Sequence, residues 1–370
     1  MTARRYRAAL LGLGSISRAH QRGYTSAANA ARIEIVAGAD PSNEARDRFA
    51  AETGAATYAH FSDLLERERP DFVSICTWPP LHPEMVEAAA GSSVKGILCE
   101  KPMAVDLAGC DRMLAAAERS GTVLAIGHQR RLQPKFTRAR ALIEAGAIGT
   151  LELLCGIAAG DLLSDGTHTV DLLRFLTGAL AVEWVMGSVD LRRREIRPEV
   201  IGRSGFALQE RPYTVRYGHP VESGAVATLQ FASSSAGVLG PRATLELGLC
   251  ARPGYQRFLV YGTDGAIRVS GDRAAEDEPL LHVRRKGAAG WELIEGVEET
   301  NGFAREIALL LDSIEQGSEH PLNARSARRT HEVLMAVFES ARRPGRVELP
   351  LDLTQSPLED LLPPMPASAG

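Results

Sequence analysis

The stretch YRAALLGLGSISRAHQRGYTSAANAARIEIVAGAD, residues 6–40, carries the decision about the fold. Tyr6–Leu11 is a short apolar run that stops at glycine. An alanine-rich segment, 16–31, is helical in character, and IEIVAGA at 33–39 is a second apolar run, closed by Asp40-Pro41. The turn between the first run and the helix reads Gly12-Leu13-Gly14-Ser15-Ile16-Ser17, the G-x-G-x-x-G spacing with serine in the third place. There the first glycine permits a tight turn, the second lets the backbone approach a pyrophosphate, and a small third residue lets helix pack on strand. The helix start offers free N–H groups and a partial positive charge to phosphate oxygens. Gly12, Gly14, Ser15 and Ile16 are therefore candidate cofactor-binding residues. Asp40 can accept hydrogen bonds from both ribose hydroxyls and would repel a 2′-phosphate. With no arginine directly after it, NAD is favoured over NADP; the plainer reading of Asp40-Pro41-Ser42 is a turn and helix cap. A glycine-rich turn alone is common, and its strand–loop–helix–strand setting is what makes it specific.

The alternation continues outward from this unit. A helix over 42–52 has Ser42 as N-cap, FVSIC at 72–76 is a continuous β-rich run, and a short helix covers 84–90. Residues 96–99 form another buried strand. The helix over 106–120 has Asp106 as cap and Gly121 at its end, and Val123–Ile126 is a further strand. Continuous apolar strands alternating with helices imply a parallel sheet covered on both faces, a doubly wound α/β domain over 1–126. The pattern then changes. Helices are expected over 136–146 and 167–176. The region from about 181 to 295 is strand-like with many Gly and Pro turns, including a hairpin at Gly262-Thr263-Asp264-Gly265. Helices return at 303–315 and 324–341, so residues 127–350 read as an α+β domain with antiparallel or mixed pairing. A Pro-rich tail over 351–370 is expected to be loose.

The whole chain has 370 residues, a formal net charge of −4, 45% hydrophobic residues and 24% charged residues, which suits a globular protein and gives no basic excess for nucleic acid. No apolar run is long enough to span a bilayer. Arg4-Arg5 precedes a short apolar stretch that reads as a first strand rather than a signal peptide. The five cysteines, Cys76, Cys99, Cys110, Cys155 and Cys250, include no C-x-x-C pair. That argues against a zinc site or disulfide framework and fits a reducing cytosol. His60, His219, His282, His320 and His331 show no metal-ligand spacing. Arg192-Arg193-Arg194 and Arg284-Arg285-Lys286 read as solvated charges.

Ligands of open α/β sheets bind beyond the carboxyl ends of the strands. Two such ends carry proline and must turn outward: Thr77-Trp78-Pro79-Pro80-Leu81-His82 and Glu100-Lys101-Pro102. Lys101 is thereby placed at the rim. Taken alone it would be a solvated charge, and His82 either lines the crevice or simply starts a helix.

These pieces together resemble the Gfo/Idh/MocA family of NAD(P)-dependent oxidoreductases. The matching segments are GLGSIS (12–17), GADPS (38–42), TWPPLH (77–82), EKPMA (100–104), GHQRRLQPKF (127–136), EAGAIG (144–149), DGTHTVDLLRFL (165–176) and the closing 323–350. The resemblance covers about residues 5–350. It implies a Rossmann domain followed by an α+β domain with a large open sheet that often forms a homo-oligomer interface. It places Thr77, Pro79, His82, Glu100 and Lys101 beside the cofactor. Lys101, on a cis peptide before Pro102, would contact the substrate hydroxyl, His168 would be the general acid/base, and Arg130 and Asp171 would face substrate. The family's aspartate four residues before the histidine is Ser164 here. Asp165 or Asp161 would orient His168, with Asp161 otherwise facing substrate, or the segment is shifted by a residue, or the network differs from that of the sugar and polyol dehydrogenases.

The implied chemistry is reversible hydride transfer at a CH–OH group of a sugar, polyol or related hydroxy compound. Two other readings stay open: a non-catalytic dinucleotide-binding regulator of the same fold, and an NAD-dependent glycosidase or lyase that oxidises its substrate transiently.

Overall fold

A computed structural model describes residues 5–192, 212–233, 239–248, 256–270, 280–298 and 300–364. Cys250, Arg193 and Arg194 lie outside the described residues. The chain divides into two compact units, residues 1–129 with 301–328, and residues 130–300 with 329–370.

In the first unit β1 (Tyr6–Leu11), α1 (Ser17–Tyr24), β2 (Ile33–Ala39), α2 (Asn43–Thr53), β3 (Ala56–Tyr58), α3 (Phe61–Glu68), β4 (Phe72–Ile75), α4 (His82–Gly91), β5 (Gly96–Cys99), α5 (Leu107–Ser120) and β6 (Val123–Ile126) follow in order. All neighbouring strands pair in parallel, in the order β3-β2-β1-β4-β5-β6. The order reverses at β1, and open α/β sheets bind ligands in the crevice at such a switch point. Every residue of β4 and β5 is buried, as a sheet covered on both faces requires. One face packs on α3, α4 and α5 through Leu64, Val86, Met113 and Ala117. The other packs on Tyr24, Phe49, Ile307, Leu310 and Leu311. Ser42 and Asp106 cap α2 and α5 as expected, accepting from Ala45 N and Gly109 N.

Three local expectations change. The first helix ends at Tyr24 rather than 31, because the chain turns there and Asn29 donates to the carbonyls of Gly23 and Ala304 at 2.9 and 2.8 Å. The strand Ala56–Tyr58 and helix Phe61–Glu68 were not anticipated. The helix Gly302–Gln316, read from sequence as part of 127–350, returns to the first unit. Its stripe Ile307, Leu310, Leu311 buries against the parallel sheet, and Ile126 N donates to Leu322 O at 3.0 Å. An apolar stripe states that a helix is covered and does not say by which sheet.

The second unit holds α6 (Pro134–Glu144), β7 (Leu151–Ala158), α7 (Thr167–Leu176), β8 (Val182–Asp190), β9 (Thr214–Arg216), β10 (His219–Val221), β11 (Gly224–Phe231), β12 (Arg242–Leu247), β13 (Gln256–Gly262), β14 (Gly265–Ser270), β15 (Leu281–Arg285), β16 (Glu292–Leu293), most of the helix Ala324–Arg342, and the strand Val347–Glu348. Among the described residues nine strands form one mixed sheet, in which β7 and β12 pair in parallel and the other neighbours antiparallel. The central β7 escaped the sequence reading because LELLCGIA has no clean alternation. Register places Val283, Ile267, Val260, Leu154, Ala243, Leu229 and Val185 in one row, all of them buried. Gly156 lets α7 approach that face, since a Cβ there would stand 2.8 Å from Thr169 Cγ2. The opposite face carries Cys155, Leu259 and Thr244, half-buried, and Met186 and Val226, exposed.

The tail is not loose as far as Pro364. Leu351 N donates to Glu332 at 3.0 Å, and a short helix, Leu358–Leu361, buries Leu358. One apolar side chain with a place to go suffices to dock a Pro-rich segment.

Candidate functional site

The glycine turn in the first unit is built as its spacing demands. Gly12 has φ +89°, and a Cβ there would meet the Cys76 carbonyl at 2.9 Å. A Cβ on Gly14 would meet no atom within 4 Å, and Gly14 and Ser15 are exposed. The first turn of α1 has no side-chain cap, so its N–H groups suit an anionic ligand. Ser17, the third small position, is buried and donates to Gly14 O at 2.7 Å. These features fit a dinucleotide pyrophosphate.

Asp40 lies at the end of β2, half-buried. Its Oδ2 accepts from Leu13 N and its Oδ1 from Ser42 N, both at 2.8 Å. The carboxylate therefore shapes the glycine turn and starts α2, so the ribose and turn readings of this residue coexist. Arg46 donates to Asp40 O at 2.6 Å, and Arg48 donates to Leu13 O.

Beyond β4, Thr77 is half-buried, Pro79 buried and Trp78 52% exposed. The sequence reading did not single out Trp78. His82 is fully buried: its Nδ1 faces Pro102 O and Met103 O at 3.1 and 3.2 Å, and its Nε2 faces Thr77 O at 3.1 Å. Burial lowers its pKa. It starts α4 and ties the two strand-end turns together, which is the helix-start reading; the crevice-lining role is corrected, because no face of the ring is open.

Lys101 follows β5 on a cis Lys101–Pro102 peptide and is partly exposed. Its neighbour Glu100 points inward, 4% exposed, with His20 Nε2 at 2.9 Å. Burial opposes ionisation of Glu100, yet the His20 bond and the charges of His20 and Lys101 hold its carboxyl below the ordinary range. His20 Nδ1 faces Ser74 Oγ at 3.1 Å, and Tyr24 reaches the same hydroxyl at 2.7 Å. This chain of groups was missed. The only sequence signal for it was a histidine on the first helix.

In the second unit the predicted residues fall into two groups. Asp171 is buried, accepts two hydrogen bonds from Arg131 (Nε at 2.5 Å) and lies 3.2 Å from Thr330 Oγ1. It is engaged in an internal ion pair with Arg131, which follows from residues 129–132 forming a 3-10 turn with Arg131 buried. Arg130 donates to Gln256 Oε1 at 2.7 Å, and Gln256 donates to Thr169 Oγ1 at 3.0 Å.

The other group surrounds His168, the second residue of α7 and 3% exposed. Asp161 begins the single π-helical turn Leu162–Gly166 and accepts from Ser164 N at 2.7 Å. Asp161 and Asp165 converge on Arg216 Nη1, at 2.6 and 2.8 Å. Burial works against Asp161, but Arg216 and the Ser164 N–H hold its carboxyl below the ordinary range. Sequence reasoning named both aspartates and missed Arg216, which is 51 residues from Asp165 and sits in no recognisable motif. No group of three or more His, Cys, Asp or Glu side chains that could hold a metal ion occurs among the described residues, and no helix there is long and apolar enough to cross a membrane.

Two family models match the chain. One, described as "Oxidoreductase family, NAD-binding Rossmann fold", matches residues 6–128; the other, "Oxidoreductase family, C-terminal alpha/beta domain", matches residues 156–349. A D-apiose dehydrogenase from Paraburkholderia graminis is 28% identical over 376 residues, 94% of this chain and 91% of that protein. An inositol 2-dehydrogenase from Ralstonia nicotianae is 31% identical over 181 residues, 46% of this chain and 53% of that protein. Among solved structures, the WlbA dehydrogenase from Bordetella pertussis, in complex with NADH and UDP-GlcNAcA, superimposes with a TM-score of 0.75 at 22% identity, covering 95% of this chain and 100% of that one. At that identity the likeness speaks for the fold.

Proposed function

The chain belongs to the Gfo/Idh/MocA oxidoreductase family, and from that premise we propose that it is an NAD-dependent dehydrogenase acting on a CH–OH group of a sugar or polyol. The observation that carries the reading lies in the first unit: an open glycine turn with a half-buried Asp40, and Lys101 at the carboxyl end of the same parallel sheet. The named dehydrogenases of D-apiose and inositol that this chain is similar to support the substrate class.

When bound, NAD supplies the hydride acceptor. The protein's part is binding, orientation and proton management. The N–H groups at the start of α1 and the Gly14 backbone would hold the pyrophosphate, and Asp40 would accept from the ribose. Lys101 places positive charge beside the substrate oxygen as its C–H bond breaks. His168 takes the hydroxyl proton; an imidazole suits that task because its ordinary pKa lies near neutrality. A positioned base contributes about 10²–10⁴-fold, and fixed charge at the oxygen acts in addition. Asp165, whose side chain is 33% exposed, offers an acceptor for a substrate hydroxyl.

The half-exposed face of the nine-stranded sheet, with Met186 and Val226 in solvent, supports a homo-oligomer formed sheet to sheet. The free thiols of Cys76, Cys99, Cys110 and Cys155 support a reducing, cytoplasmic setting.

The test is a panel of aldoses and polyols, including D-apiose and myo-inositol, incubated with NAD⁺ while NADH absorbance is followed. One NADH per oxidised substrate is expected. Loss of about 10²-fold or more in kcat is expected for both Lys101→Ala and His168→Asn, with NAD affinity changed only slightly. Product without net NADH would identify a transient-oxidation enzyme, and NAD binding with no turnover on any compound would identify a regulator.

A further inference from the structure

The hairpin formed by β9 and β10 reaches the segment that ends at His168. Arg216, its side chain 13% exposed, has Nη1 between Asp161 Oδ2 and Asp165 Oδ2. Glu222, just after β10, accepts the Leu162 N–H at 2.6 Å. These contacts hold the first residue of the π-helical turn, the residue before it, and its fourth residue. Within the turn, Asp165 N and Gly166 N both donate to Asp161 O, at 3.1 and 2.9 Å. A single π turn is uncommon and is frequently found at functional sites. The helix α7 begins directly after it with no side-chain cap of its own, so the place of His168 is inherited from the turn.

We propose that Arg216 is a positioning residue for His168: by holding Asp161 and Asp165 together it fixes the turn from which the imidazole is presented. The inference rests on the assignment of His168 as the base. With Ser164 where the family's aspartate is expected, the carboxylates of Asp161, three residues before it, and Asp165, directly after it, are gathered by an arginine from a distant hairpin.

Among the described residues, these charged and titratable groups face the cluster. Asp161 faces Arg216 and His219 from the hairpin. Arg216 faces both aspartates, with the Tyr217 ring 4.9 Å from its guanidinium carbon. Glu222 closes the far end. Burial keeps His219 below its ordinary pKa, and the Arg216 guanidinium is the cation that Asp161 and Asp165 share. Without it Asp161 would take up a proton at higher pH and release its hold on the turn.

The experiment compares Arg216→Met, Arg216→Lys and the charge-neutral triple variant Asp161→Asn/Asp165→Asn/Arg216→Met with His168→Asn, all in the full chain. The assay uses NAD⁺ and whichever of D-apiose or myo-inositol is turned over. Arg216→Met is expected to lower kcat about 10²-fold, the scale of a small misplacement of a reacting group. NAD KM should stay within about twofold, and the acid limb of kcat/KM should move up by about one pH unit. Arg216→Lys keeps the charge in a different shape and is expected to return the acid limb to its native position with part of kcat. A folded Arg216→Met protein with native kcat and an unmoved acid limb overturns the inference. Should Arg216→Met fail to fold, the triple variant decides: loss of kcat with NAD binding intact supports the proposal, and native kcat defeats it. Turnover that survives His168→Asn overturns the functional reading itself, whereas loss in His168→Asn beside an indifferent Arg216→Met overturns this inference alone.

Discussion

Behind β5, Glu100 shares a hydrogen bond with His20, and Glu306 lies fully buried with neither carboxyl oxygen bonded among the described residues. Behind α7, Asp171 is gripped by Arg131, and Asp161 and Asp165 by Arg216. The first unit thus handles buried acids with an imidazole, a hydroxyl and a retained proton; the second handles them with guanidinium pairs. Burial and the charge of Glu100 push the Glu306 carboxyl well up, so it stays neutral. The difference follows from what each interior can supply. A sheet packed on both faces by alanine, valine and leucine has room beside Glu100 for the short His20 ring, while Lys101 acts on it from the next residue at the rim. The mixed sheet has helices, turns and a hairpin around its site, so arginines can enter from the periphery and meet carboxylates.

The contrast can be broken experimentally. Arg131→Met should have the largest effect on stability, because it removes the two-pronged guanidinium from the buried Asp171 carboxylate. The expected loss is about 3–5 kcal/mol in chemical denaturation. A loss under about 1 kcal/mol would mean that Asp171 finds water or another donor, and that pairing is not what stabilises the second unit. Asp40→Ala should come next. It removes the acceptor for Leu13 N and Ser42 N together with the ribose contact, so NAD KM is expected to rise about tenfold, roughly 1.4 kcal/mol, while NADP KM rises less. A greater rise for NADP would reverse the assignment of NAD as the preferred cofactor.

Glu306→Gln should have the smallest effect, and the opposite sign. A carboxyl whose folded-state pKa is raised costs nothing in the acid, where it is protonated in both states. It costs more as pH climbs from the unfolded value toward the folded one. Glutamine removes that cost, so Tm should rise at pH 8 and be nearly unchanged at about pH 4, by about 2–4 °C for each kcal/mol recovered. A fall in Tm at pH 8 would show that Glu306 is ionised and paired, and the two interiors would then be alike.

Legibility tracked distance along the chain. The Gly12 turn, the Ser42 and Asp106 caps and the Gly262–Gly265 hairpin each depend on residues a few positions apart, and each was readable. His82 and Glu100 were recognised as strand-end residues. Their inward orientation was not readable, because the partners of His82 lie 5 to 21 residues away and His20 lies 80 residues from Glu100. Arg216 was invisible for the same reason. Its hairpin has ordinary composition, and only the folded chain brings it to Asp161.

By itself the sequence determined the doubly wound half, most of its strands and helices, the glycine turn and the rim position of Lys101. Those features are set by backbone conformations that neighbouring residues dictate. Only the tertiary structure decided which sheet covers the helix Gly302–Gln316, that Asp171 is held by Arg131, and that an arginine holds the turn before His168. A buried charge is stable only where an opposite charge arrives, and that arrival is a property of packing, on which local sequence is silent.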